Sequence, residues 1–243
     1  MKLALIALVS CMALSVKSVT YMGGVTTPET HATNWYNKSL LPNYANRNVP
    51  VLDVQSTDLI CRSPDMTAEV APYSMAAGKT IRVTFATEDK GPYANIDPVG
   101  PCSFWLAPLA SKGVGKVWSK IHEYANDGKS EKSNWCSAEL SKKGYFDFVI
   151  PADITPGKYI LRSELINILA AGTTNYADFT SGPEFYSSCL VLDITGSGTA
   201  ALKTPVSILE AYKSYYKTPL FPKGTKDNKF AFPGPAPYTT GLI

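Results

Sequence analysis

Seven short segments rich in β-branched and aromatic residues constrain the fold of this 243-residue chain more than any other feature. Each is bounded by Gly, Pro or Asn, which interrupt regular structure. In TIRVTFAT, Ile81, Val83 and Phe85 alternate with polar residues, the pattern of a strand with one buried face. The segments are 49–55, 80–87, 103–109, 117–125, 145–151, 158–169 and 185–195. Together they predict an all-β protein built as a two-sheet antiparallel sandwich.

The segments on either side of these strands are irregular. Residues 19–50 are rich in Thr, Asn, Pro and Tyr without a helical period, which predicts a long irregular entry with at most one short strand. Residues 205–216 favour a helical turn, and the Pro- and Gly-rich residues 221–243 predict an extended tail packed across the sandwich. Because no boundary linker or internal repeat divides the chain, we expect residues 19–243 to form one domain.

Residues 1–18 have the layout of a secretory signal peptide. A single lysine precedes an apolar run that extends to Leu14, and small residues follow. The run is too short for a stable membrane helix. Val16 and Ser18 favour cleavage before Val19. The mature protein is therefore expected to be secreted and extracellular.

The cysteine count fits an oxidising compartment. Cys11 lies in the predicted signal peptide, which leaves Cys61, Cys102, Cys136 and Cys189 as an even set. Such a set in a secreted protein predicts two disulfides, for which the spacing leaves all three connectivities open. No paired-cysteine spacing typical of a structural zinc site is present.

The charge pattern excludes some classes of partner. A net charge of +3 with scattered Lys and Arg favours neither nucleic acid nor an anionic membrane. The sequon Asn37-Lys38-Ser39 predicts an N-glycan on Asn37, at the surface, if the host makes such glycans. We expect a monomer.

Six blocks in a defined order give the chain a family resemblance. They are LDVQSTDLIC (52–61), VGPCSFWLAPL (99–109), VWSKIHEYANDG (117–128), VIPADITPGKYILRSELINILAA (149–171), GPEFYSSCLVLDITGSG (182–198) and FAFPGPAPY (230–238). The most specific part is IPxxxxPGxYxLRxELI followed by GxxFYxxC. In order and spacing these blocks resemble the fungal lytic polysaccharide monooxygenases of auxiliary activity family nine, over nearly the whole mature chain.

The resemblance implies both a fold and an activity. It implies an immunoglobulin-like, fibronectin III-like β-sandwich with long loops, and the disulfides Cys61–Cys189 and Cys102–Cys136. Family members carry one copper ion on a flat face that lies on cellulose or a related glucan. A histidine brace holds the copper: the N-terminal His binds through its amine and ring, and a second His completes the set. Nitrogen donors of this kind bind both oxidation states of copper.

This sequence departs from that ligand pattern. Cleavage before Val19 gives an N-terminus that is not His, and Pro98 stands where the family has its second copper His. Leu169 lies in the segment where the family has a further His that donates a hydrogen bond near the copper. Glu184 replaces a family Gln, while Tyr186 keeps the family's axial Tyr. We therefore expect no catalytic residues, no metal site and no cofactor, with copper required only if the family activity were retained.

Other residues are candidates to replace the missing ligands. The chain contains two histidines: His122, interpreted as structural, and His31, which would become a terminal ligand only after processing behind Thr30. Asp89, Asp97 and Glu184 could supply a glycosidase pair, but nothing in the sequence fixes their separation. Solvated loop acids and one hydrogen-bonded buried Glu are the simpler interpretation.

The aromatic residues of the tail are candidates for sugar stacking. Phe230 takes the place of a family Tyr near the substrate plane, and the further candidates are Tyr215, Tyr216 and Tyr238, with Trp35 and Tyr36 in the entry segment. For each of them burial is the alternative.

Three hypotheses follow for the function. The first is a secreted, non-catalytic protein of the monooxygenase fold that binds polysaccharide, such as cellulose or cell-wall glucan, or acts at a host surface. The second is an active copper monooxygenase, and the third is a structural or protein-binding role without a glycan.

Overall fold

Two β-sheets packed face to face form the body of the protein. The computed structural model describes residues 20–30, 37, 40, 49–62, 71–88, 91–92, 100–125, 135–168, 183–213 and 230–238. Its strands are β1 Tyr21–Thr26, β2 Tyr73–Ala76, β3 Thr80–Glu88, β4 Gly91–Pro92, β5 Cys102–Pro108, β6 Ser119–Tyr124, β7 Tyr145–Val149, β8 Gly157–Asn167 and β9 Glu184–Thr195. Its helices are α1 Asp58–Cys61, α2 Cys136–Lys143 and α3 Ile208–Tyr212, with a 3₁₀ turn at Leu109–Ser111. None of the helices in these ranges has the length and apolar character needed to cross a membrane.

The strands form a five-stranded and a four-stranded sheet. The larger sheet has the order β2-β9-β8-β5-β6, and in the smaller one β3 pairs with β1, β4 and β7. All pairs between named strands are antiparallel except β2 with β9, which is parallel. The predicted all-β sandwich is confirmed, and β1 is the one short strand that the interpretation of the entry segment allowed for.

One predicted strand, 49–55, is wrong. Only Val51 makes a β-bridge there, to Phe185. Beyond it the Asp53 carboxylate accepts a hydrogen bond from the Gln55 backbone N–H at 2.8 Å, and the Asp53 carbonyl accepts one from Ser56. Local bonds of this kind turn the backbone away from a ladder.

Helix α2 was not predicted, although its sequence contains the signals. Lys142 and Lys143 lie in its last turn, where cations favour the helix dipole. Gly144 ends the helix in the left-handed region, with φ 77° and its N–H bonded to the Leu140 carbonyl. The helical turn predicted within 205–216 is confirmed as α3.

The space between the sheets holds the main core. Ile81, Val83 and Phe85 of β3 face Phe104 and Leu161 of the larger sheet, and all five side chains are buried. The alternation seen in the sequence of β3 therefore reports the inner face of the smaller sheet.

A second apolar layer covers the outer face of the larger sheet. Trp105 and Phe185 of the sheet pack there with Leu59 of α1, Tyr212 of α3 and Phe230 of the C-terminal segment. We call residues 230–238 the C-terminal strap. It was predicted as a tail packed across the sandwich, and the described part confirms this.

The strap closes one edge of the larger sheet. The Tyr238 backbone N–H donates to the Lys120 carbonyl on edge strand β6 at 2.6 Å, and the Tyr238 hydroxyl donates to Asp153 at 2.6 Å. Gly234 has φ 74°, and a Cβ there would lie 2.8 Å from the ring of Trp105. Only glycine allows so close a crossing.

A fully buried ion pair lies under this second layer. Arg162 and Glu164, both on the outer face of β8, are 0% exposed and joined at 2.6 Å. Arg162 also donates to the Leu59 and Ile60 carbonyls of α1 at 2.8 Å each. Glu164 accepts hydrogen bonds from Ser103 of β5 and from Tyr212 of α3. Burial is the largest single effect and lowers the pKa of Arg162, but the charge of Glu164, the Tyr212 phenol and the hydrogen bonds to both together raise that pKa.

Two disulfides are present, as the family resemblance implied. Cys61–Cys189 ties the end of α1 to β9, and Cys102–Cys136 ties the start of β5 to the start of α2. Each bridge attaches a short helix to the larger sheet.

We expect Glu164→Gln to lower the free energy of unfolding by about 3–5 kcal/mol, because it leaves the Arg162 charge buried without a counter-charge. Replacing both residues by apolar ones, Arg162→Met with Glu164→Leu, is expected to cost less than the single change. Urea unfolding of the mature protein measures both. Glu139→Gln, which breaks a partly exposed pair, is the control and should cost about 0–1 kcal/mol. Equal losses for Glu164→Gln and this control would contradict the prediction.

Candidate functional site

Tyr186 and Glu184 lie at the start of β9, at one end of the larger sheet. The Tyr186 side chain is 2% exposed, and its hydroxyl donates to Oε2 of Glu184 at 2.9 Å. The same oxygen accepts a hydrogen bond from Nδ2 of Asn167 at 2.8 Å. Asn167 is the residue opposite Glu184 in the β8–β9 ladder. We call these three residues the Tyr186 cluster.

The electrostatics of this cluster hold the phenol protonated. Burial raises the pKa of Tyr186, the negative charge of Glu184 and its hydrogen bond raise it further, and Arg62 partly opposes this. Tyr186 is therefore a hydrogen-bond donor, and the Glu184 carboxylate is its acceptor.

His122 lies on a different strand and is surrounded by aromatic rings. It stacks on Phe148 with ring centroids 5.4 Å apart and an interplanar angle of 9°, and it also contacts Phe146 and Phe104. Burial lowers its pKa below 6.5. In the larger sheet His122 pairs with Phe104, Phe104 with Ser163, and Ser163 with Ser188. His122 is therefore three strands away from β9, in line with Ser188 and not with Tyr186. His122 therefore packs in the sandwich and does not join the Tyr186 cluster.

The groups described around Tyr186 differ from the nitrogen donors of a histidine brace. The groups that meet there are a carboxylate, a carboxamide and a phenol, and the described ranges bring no imidazole to them. Within those ranges, no three His, Cys, Asp or Glu side chains are grouped closely enough to hold a metal ion. Oxygen ligands of this kind are typical of Mg²⁺, Ca²⁺ or Mn²⁺ sites, whereas the copper of a histidine brace has nitrogen ligands.

The structure places the two described candidates for sugar stacking in buried positions. Phe230 is 8% exposed and meets Trp135 and Phe232 edge to face. Tyr238 is 5% exposed and carries the Lys203 ammonium over its ring. In this arrangement neither ring presents an open face to a sugar, because the strap uses both to hold itself on the sandwich.

The remaining predicted positions divide in two groups. Asn37 is half-buried, and its backbone N–H donates to the Gly23 carbonyl of β1. The others lie outside the described residues: the signal peptide 1–18, His31, Trp35, Tyr36, Asp89, Asp97, Pro98, Leu169, Tyr215 and Tyr216.

Asn167 was not recognised from the sequence as a member of the site. It lies 17 residues before Glu184 along the chain, and only the register of β8 against β9 brings the two side chains together. The available signal was that Asn167 is the last polar residue of one predicted strand and Glu184 immediately precedes the next, since consecutive antiparallel strands place such residues opposite each other.

The fold agrees with comparisons to known proteins. The model of Auxiliary Activity family 9 (formerly GH61) matches residues 12–225. An AA9 family lytic polysaccharide monooxygenase A of Collariella virescens is 32% identical over 196 residues, which are 76% of this chain and 69% of that protein. An Aspergillus fumigatus protein of the same description is 28% identical over 193 residues, 78% of this chain and 52% of that protein. The chain thus spans only about half the length of the Aspergillus relative.

A solved structure gives the same result. The structure named CvAA9A has a TM-score of 0.72 and 26% identity, with 91% of this chain and 96% of that chain covered. This likeness confirms the immunoglobulin-like sandwich. The chain belongs to Auxiliary Activity family 9.

The stability of the protein is expected to fall as the pH decreases from 6.5 through the lowered pKa of His122, because folding disfavours the charged imidazole. Above pH 6.5 the imidazole is neutral in both the folded and the unfolded protein, so this loss of stability is absent. His122→Phe, which matches the surrounding rings, should remove this part of the pH dependence. Urea midpoints of both proteins at a series of pH values measure it. An imidazole resonance of His122 that titrates above 6.5 would contradict the assignment.

Proposed function

We propose that this protein is a secreted, non-catalytic member of Auxiliary Activity family 9 that has lost the copper ligands of the family and binds a polysaccharide surface. The observation that carries the proposal is the Tyr186 cluster. Its phenol, where the family resemblance implies an axial position toward copper, donates to a carboxylate instead.

The sequence at the family's ligand positions supports the loss of copper. Pro98 stands at the position of the second copper His, and its ring nitrogen has no lone pair to offer a metal. With two histidines in the whole chain, and His122 packed among phenylalanine rings, at most His31 remains for a brace that needs two.

The start of β1 supports a mature N-terminus at Val19. Thr20 is 1% exposed and its hydroxyl donates to the Ala86 carbonyl, and β1 begins at Tyr21. Cleavage before Val19 would therefore leave one residue ahead of a segment already fixed in the sheet. The terminal group would be a valine amine, without the imidazole that makes the brace bidentate.

The polysaccharide part of the proposal rests on the family. The relatives are named as lytic polysaccharide monooxygenases, and a sandwich with a TM-score of 0.72 to one of their structures keeps the same scaffold. The same names favour the alternative function, an active copper monooxygenase that cleaves cellulose or a related glucan.

Three measurements on the secreted mature protein test the proposal. Edman sequencing should begin at Val19. Electron paramagnetic resonance with an equimolar amount of Cu(II) should show no tightly bound ion, while the Collariella virescens relative gives the positive control. Incubation with cellulose and ascorbate should release no oxidised oligosaccharides, and sedimentation with cellulose or cell-wall glucan should retain the protein.

The outcomes separate the candidate functions. Sub-micromolar copper binding together with oxidised products would overturn the proposal in favour of the active enzyme. An absence of copper binding together with an absence of retention on any polysaccharide would refute the glycan part and leave a structural or protein-binding role.

A further inference from the structure

A cavity lies at the seam between the two sheets, apart from the Tyr186 cluster. Its volume is about 320 Å³, and it is lined by Tyr124, Glu139, Lys143, Tyr145, Phe146 and Asp147. Tyr124 ends β6, the last strand of the larger sheet, and 145–147 belong to β7 of the smaller one. The rings of Tyr124 and Phe146 meet with centroids 5.5 Å apart and join the two sheets at this point. Helix α2 contributes the remaining two residues.

The cavity belongs to the same end of the sandwich as Tyr186 but is a separate place. Tyr186, Leu165, Cys102 and Tyr124 follow one another across β9, β8, β5 and β6. Three strand spacings of about 4.8 Å put Tyr124 roughly 14 Å from Tyr186. No residue is shared between the two sites.

The walls of the cavity combine aromatic surface with fixed polar groups. The Arg82 guanidinium lies 3.6 Å from the centre of the Tyr145 ring and donates twice to the Asp147 carboxylate, at 2.8 Å each. On α2, Glu139 pairs with Lys143 at 2.9 Å. Both lining carboxylates are thus oriented by cations before any ligand arrives, which reduces the cost of ordering them on binding.

The charge balance selects the kind of ligand. Each carboxylate of the cavity is matched by a cation, Asp147 by Arg82 and Glu139 by Lys143. The ion pair with Lys143 lowers the pKa of Glu139, so this acceptor stays ionised. A charged ligand would have to break one of these pairs, whereas hydroxyl groups can add hydrogen bonds to charged partners already in place.

We propose that this cavity binds a neutral saccharide, with one pyranose ring against the rings of Tyr124 and Phe146 and its hydroxyls bonded to Glu139, Lys143 and Asp147. A volume of about 320 Å³ is at the small end of ligand pockets, which suits a single ring or the end of a short oligosaccharide. The site goes beyond the polysaccharide surface proposed above, since it takes a soluble sugar at the sheet seam.

Two neighbouring lysines allow a matched test. Lys142 and Lys143 are both exposed and both pair with Glu139, but only Lys143 lines the cavity.

Amide chemical shifts of the mature protein would be followed during titration with glucose, mannose, galactose, xylose and cellobiose. At least one of them should bind with a Kd on the order of 1 mM, as expected for about a dozen ligand atoms. The shifted amides should be those of 124 and 139–147.

The variants then assign the site. Lys143→Ala should weaken binding about tenfold through the loss of one charged hydrogen bond, while Lys142→Ala leaves it unchanged. Tyr145→Phe keeps the ring and should change the affinity about threefold or less. Loss of affinity by equal factors in the two lysine variants would overturn the proposal, and so would the absence of any shift in 139–147 with every sugar.

The same variants separate this site from the polysaccharide surface. Retention of the protein on insoluble polysaccharide is expected to be unaffected by Lys143→Ala. If soluble sugars bind while retention is absent, the cavity proposal stands and the polysaccharide surface fails. If the protein is retained on polysaccharide and no sugar shifts these amides, the polysaccharide surface stands and the cavity proposal fails.

Discussion

The buried pair of Arg162 and Glu164 is the interaction on which the arrangement of the outer layer depends. Moving charged groups out of water is costly unless a counter-charge and further hydrogen bonds compensate. Here Arg162 donates hydrogen bonds to carbonyls of α1, and Glu164 accepts hydrogen bonds from the hydroxyls of Tyr212 on α3 and Ser103 on β5. The pair therefore fixes where two short helices dock, although neither helix has the length to be stable alone.

The strands of the sandwich were predictable because their pattern is local. Period-two alternation in β3 identifies the face that meets the core, and β-branched and aromatic residues between Gly and Pro mark β8 and β9. The prediction of a strand at 49–55 was wrong for a local reason too, since the Asp53 side chain competes for backbone hydrogen bonds. Strand β2 was missed because its four residues, Tyr-Ser-Met-Ala, include no β-branched residue and are too few to show a period.

The candidate site was predictable in part. Family resemblance led to Tyr186 and Glu184, and it led us to expect Pro98 where the family has a copper His. The bond between the two side chains and its extension to Asn167 required the register of β8 and β9. Burial of Phe230 and Tyr238 was equally beyond the sequence, because a Pro-rich tail has no periodicity to show which rings face inward.

The C-terminal strap has a consequence for handling the protein. Its rings cover Trp135, its glycine at 234 crosses directly over Trp105, and its backbone occupies part of the open edge of β6. A chain shortened before residue 230 would present tryptophan surface and an unpaired strand to solvent at the same place, a combination that promotes self-association. Truncated forms would therefore be expected to precipitate on storage, and affinity tags are best attached beyond the strap so that this segment remains whole.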